Sequence, residues 1–135
     1  MRLVPILVAV AAMLPAGVQA QQTSGTIVIE SIMEGPRTIT PDWSAINALP
    51  LGTRGNPVRV HTPSGQRAYL SRLVCPGGGT PTFGRRGSMG AGPYGTVVDG
   101  YDVDCAGTVR QVVMDMYHPG HVETRAVDGF TIRAP

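Results

Sequence analysis

The chain has 135 residues, of which 18 are Gly and 12 Pro, and its 11 basic residues, all arginine, face 9 acidic ones. A net charge of only +2 gives it no electrostatic reason to seek nucleic acid or an anionic membrane surface. The length suits one domain around one core, and the glycine and proline content stays just short of low complexity.

Residues 1–20 read as a secretory signal peptide. Met1-Arg2 supplies a positive start, and Leu3 to Leu14 is an apolar stretch broken only by Pro5. That stretch falls well short of the ~20 apolar residues a membrane helix requires. Pro15 and Gly17 break any helix, and Val18-Gln19-Ala20 places small residues at both cleavage positions before Gln21. A buried N-terminal helix or a short anchor is the competing reading, and neither accounts for that small-residue ending. No cysteine follows the apolar run, which disfavours a lipid anchor. The working protein is therefore expected to be a single exported α+β domain over residues 21–135, periplasmic or secreted, with no membrane span after cleavage.

Gly25 to Ile32 is short and β-branched, the pattern of a strand, and Glu34-Gly35-Pro36 ends it. Thr40-Pro41-Asp42 starts a short helix, with Thr40 as cap, Pro41 in the first turn and Asp42 at the positive helix end. Trp43 and Ile46 share its face, and Pro50 stops it. Val58 to Val60 reads as a brief strand. Ser64 caps a second helix through Val74, because Tyr69, Leu70, Leu73 and Val74 form one helical stripe.

Cys75 to Gly95 is rich in Gly and Pro, and only Thr82-Phe83 hints at a strand inside it. Thr96 to Cys105 then alternates, Ala106-Gly107 turns the chain, and Val109 to Tyr117 returns. That is a hairpin. A last strand is expected around Phe130 to Ile132. The expected fold is α+β: a small, mostly antiparallel sheet with a C-terminal hairpin and two short helices on one face. Cys75 and Cys105 are the only cysteines, and in an exported chain such a pair forms a disulfide. It would tie the end of the second helix to the hairpin turn. Free thiols, or half of a metal site, are the alternatives, and no CxxC spacing supports them.

Four groups of residues carry candidate chemistry. Arg85-Arg86 and the glycines to Gly95 could cradle an anion with backbone N–H groups and guanidinium charge. The same glycines suit a structural loop of unusual backbone angles. No Lys-Ser/Thr follows as in a phosphate loop, and no helix follows as in a dinucleotide fingerprint, so no cofactor is implied. Asp115, His118, His121 and Glu123 offer imidazole and carboxylate ligands suited to a divalent metal, with Glu123 or Asp115 as a general base. Pro119-Gly120 argues instead for a plain turn at a strand end. Asp99, Asp102 and Asp104 could form a carboxylate pair, or simply the wet side of a strand. Tyr94, Tyr101 and Tyr117 gather near the hairpin, either as partner-binding tyrosines or as edges of the core.

Hairpin topology joins some of these groups. The segment before Thr96 enters one strand and the segment after Tyr117 leaves its partner, so both lie at the open end, opposite Ala106-Gly107. Arg85, Arg86, Tyr94, His118, His121 and Glu123 are therefore expected to form a binding site there.

Asn56-Pro57-Val58-Arg59, Gly65-Gln66-Arg67-Ala68-Tyr69-Leu70, Gly92-Pro93-Tyr94-Gly95 and Met114-Asp115-Met116-Tyr117-His118-Pro119-Gly120 together resemble an uncharacterised family of small exported bacterial proteins. The resemblance spans roughly Leu51 to Phe130. It implies export and a single small domain, and carries no activity or site across. The expected function is that of a small disulfide-bonded protein of a bacterial envelope, binding an envelope partner or small ligand, or serving structurally. The rival is a metal-dependent hydrolase built on His118 and His121.

Overall fold

A computed structural model describes residues 39–135 of the protein. The signal peptide expected over residues 1–20 and the strand expected over residues 25–32 lie outside the described residues. Among the described residues, no helix is long and apolar enough to cross a membrane.

Helix α1 spans Trp43–Asn47, and Asp42 rather than Thr40 caps it, its carboxylate accepting the Ala45 N–H at 3.0 Å. An aspartate is the stronger cap, so the helix begins two residues later than expected. Strand β1 (Val58–Arg59) follows, then helix α2 (Thr62–Arg72), with Pro63 in its first turn and Gln66, Tyr69 and Leu70 on its buried face. The helical stripe continues in sequence to Val74, but the backbone opens at Leu73. Leu73–Val74 becomes strand β2 and pairs antiparallel with a short C-terminal strand, Thr131–Ile132, as a separate two-stranded ribbon. Arg72 fastens that crossing by donating to the carbonyls of Arg133 and Glu123.

The main sheet holds β1, β3 (Thr82–Ala91), β4 (Val97–Cys105) and β5 (Thr108–Asp115), in the order β1-β5-β4-β3. The hairpin β4–β5 and the pair β3–β4 are antiparallel, as expected, whereas β1 runs parallel to β5. The sheet is therefore mixed. The cause is α2, which carries the chain back across the sheet so that β3 sets out in the direction of β1. The C-terminal ribbon strand Thr131–Ile132, here β6, takes no part in it.

Alternation along the strands makes two faces. Val58, Tyr101, Val103, Val112 and Met114 turn to α2 and form one core with Tyr69, Leu70 and Leu73. Arg59 and Asp115, in register across β1 and β5, point the other way. Trp43 of α1 lies against Arg59, so the two helices cover opposite faces rather than one. Ile46, Val98 and Val113 are buried outside the main core.

The stretch expected to be irregular is mostly β3, ten residues long. Its register with β4 shifts between Arg85 and Gly87 and again between Ser88 and Ala91. Gly87 and Gly90 supply the positive φ values, 140° and 80°, that these bulges need. The expected disulfide is present: Cys75 joins Cys105 with their Cα atoms 5.8 Å apart, linking the end of β2 to the hairpin turn.

Candidate functional site

Two reverse turns face each other at the open end of the hairpin. Gly92-Pro93-Tyr94-Gly95 joins β3 to β4, closed by the Gly95 N–H on the Gly92 carbonyl at 3.1 Å. His118-Pro119-Gly120-His121 follows β5 and closes in the same way, His121 N–H to His118 carbonyl at 3.1 Å. Each has proline second, where its fixed φ suits a turn. Gly120 takes φ 76° at the third position. The second turn therefore puts His118 and His121 at its two ends.

Tyr94 and His118 touch edge to face, ring centroids 4.8 Å apart. On the other side of Tyr94 stands Trp43, with centroids 5.3 Å apart. The Arg59 guanidinium lies over both rings, 5.0 Å from the Trp43 centroid and 5.8 Å from that of Tyr94. Helix α1, strand β1 and both turns thus each contribute one side chain to a single corner. Trp43 remains 46 % exposed.

Beneath the corner lies Asp115, fully buried. Its carboxylate accepts the Thr96 hydroxyl and the Tyr117 N–H. His118 Nε2 is 3.2 Å from the Asp115 Oδ2 atom, and His121 Nε2 is 3.6 Å from Glu123 Oε2. Neither contact has hydrogen-bonding geometry, and both imidazole nitrogens are buried without a partner. Burial and the nearby Arg59 charge lower the His121 pKa below its usual value, against the pull of Glu123.

Glu123 is itself fully engaged. Arg125 grips both carboxylate oxygens at 2.9 Å, and the backbone N–H groups of Thr124 and Arg125 add two more bonds. Burial pushes its pKa up, but these bonds outweigh burial and hold it at about 2. A carboxyl so acidic is a poor general base at neutral pH. Among the described residues, no three His, Cys, Asp or Glu side chains are placed to hold a metal ion.

Of the six residues expected to converge, Tyr94 and His118 are in contact, and His121 and Glu123 adjoin them. Arg85 and Arg86 are held along the β3–β4 pair instead. Arg85 donates to Asp99 at 2.6 Å, and Arg86 lies 3.5 Å from Asp102. The glycines around them shape strand bulges. Sequence reasoning passed over Trp43 and Arg59, although Trp43 is the single tryptophan and Arg59 closes one of the motifs behind the family resemblance.

Two clefts flank these elements. One of about 500 Å³ opens beside the second turn, lined by Val60, Tyr69, Arg72, His121 and Glu123. A larger one, about 600 Å³, sits at the other end of the hairpin over the disulfide and Phe130, and neither is lined by Trp43, Arg59, Tyr94 or His118. No protein-family model, curated protein or solved structure matches the chain.

Proposed function

We propose that this is a small, disulfide-bonded domain exported to a bacterial envelope, where it binds a small ligand at the Trp43–Arg59–Tyr94–His118 corner without transforming it. One observation carries the reading. Four side chains from separate parts of the sequence meet at one corner, where a guanidinium lies over two aromatic rings and is paired with no carboxylate among the described residues. Guanidinium–aromatic corners with an exposed indole are typical recognition surfaces. The nearby carboxylates favour binding over catalysis, because Asp115 and Glu123 already have their hydrogen bonds.

Trp43 is the only tryptophan, so intrinsic fluorescence reports on the corner alone. Fractions of a native envelope extract should shift that emission, and mass spectrometry should recover the bound compound unchanged. Recovery of a cleaved compound, together with stoichiometric metal by elemental analysis, would return the protein to the hydrolase reading. Export itself predicts that the mature protein begins at Gln21, which N-terminal mass analysis reads directly; a product retaining Leu3 to Leu14 would overturn it.

A further inference from the structure

Arg59 and Asp115 occupy paired positions on the parallel strands β1 and β5, yet no ion pair joins them. The carboxylate is turned to Thr96 and Tyr117, and the guanidinium to the two rings. A guanidinium that lies over aromatic rings can still offer an N–H edge to a planar acceptor. No hydrogen bond or salt bridge engages that edge among the described residues. Arg125, another cation of this region, is clamped on Glu123. Arg59 is therefore the cation of this corner that has no acceptor among the described residues.

The charge count sets what it can take. Two buried carboxylates, Asp115 and Glu123, already stand near the corner. A dianionic phosphate would meet their repulsion with one guanidinium to offset it, and the glycine-rich segment expected to cradle an anion is strand β3. A monoanionic, planar carboxylate matches one guanidinium edge. Beside that edge, the half-exposed Trp43 offers a face on which a ring can stack.

Resting on the binding function proposed above, we infer that the ligand is a ring-bearing monocarboxylate, its carboxylate read by Arg59 and its ring stacked on Trp43. The ring can be aromatic or that of an acidic sugar, and the experiment separates the two. The exported protein is titrated with benzoate, benzamide, glucuronate, glucose and inorganic phosphate while Trp43 emission is followed. Either benzoate or glucuronate should bind, at least about tenfold tighter than its neutral counterpart, and phosphate should not. Arg59→Lys, which keeps the charge but loses the planar fork, should weaken the acid by about tenfold and leave the neutral compound unchanged.

Equal binding of acid and neutral counterpart by the unaltered protein, a comparison that needs no variant, would overturn the inference. So would full acid binding by Arg59→Lys, or phosphate binding tighter than either acid. If neither acid shifts the emission while an envelope fraction still does, the carboxylate inference fails and the binding function stands. If neither acid nor any envelope fraction shifts it, both fail.

Discussion

The Tyr94 ring stands edge-on to the His118 imidazole at 4.8 Å, and this one contact joins the two proline turns. An aromatic pair of this kind stabilises by roughly 0.5–1.5 kcal/mol. His118→Ala should therefore lower the unfolding free energy in urea by about that amount and leave a folded domain whose Trp43 emission no longer answers to ligand. Tyr94→Phe should be nearly neutral, because the Tyr94 hydroxyl makes no hydrogen bond among the described residues. A His118→Ala protein that is unfolded by circular dichroism would make the imidazole structural instead.

The disulfide closes a loop of sequence separation 30. Cys75→Ala, or reduction of the bridge, should cost roughly 2–5 kcal/mol in chemical denaturation. The bridge lies at the hairpin turn, away from the open end, so ligand affinity of whatever protein remains folded should hardly change. Ready labelling of both thiols without reductant would contradict the bridge.

Gln66 connects α2 to the sheet. It accepts the Tyr101 hydroxyl at 2.9 Å and donates to Asp99 at 3.1 Å, and Arg85 completes the chain on the other Asp99 oxygen. All three of Gln66, Asp99 and Tyr101 are buried. Gln66→Leu fills a similar volume but strands a hydroxyl and one carboxylate oxygen, each costing about 1–3 kcal/mol. Tyr101→Phe strands only the Gln66 oxygen. Thermal melts should rank the two variants in that order, and equal melting temperatures would mean the network adds no stability.

Acid should weaken the fold in two stages. The His121 pKa lies below its usual 6.5, so the folded state prefers the neutral ring and its contribution fades as pH drops under about 6.5. The Glu123 pKa is about 2 against an ordinary 4.5. Its contribution is complete above 4.5 and is lost as pH falls towards 2. In urea titrations across pH, His121→Asn should flatten the upper limb only. Glu123→Gln should reduce stability at pH 7 and flatten the lower limb. Unchanged curves in both variants would refute the assignment.

The hairpin was readable because Tyr101, Val103, Val112 and Met114 bury at period two, and Ala106-Gly107 is a plain turn signal. The disulfide followed from a lone cysteine pair in a chain expected to be exported. Strand β3 was hidden because its glycines carry no side-chain pattern; only pairing with β4 reveals it. Leu73 and Val74 fit the helical stripe of α2, and their capture by β6 depends on a segment far along the chain, which local periodicity cannot register. The meeting of Tyr94 with His118 came from hairpin topology. Arg59 escaped notice because its partners are rings on α1 and a turn, and its register neighbour Asp115 is the carboxylate it does not use.

Strand β3 forms one edge of the main sheet, and such margins invite other chains to add on. Its ladder with β4 is broken in two places, so the backbone amides of its outer side cannot form one straight row. A second copy laid alongside would have to reproduce both breaks. The irregularity that hid the strand from its sequence thus works against edge-to-edge pairing along β3.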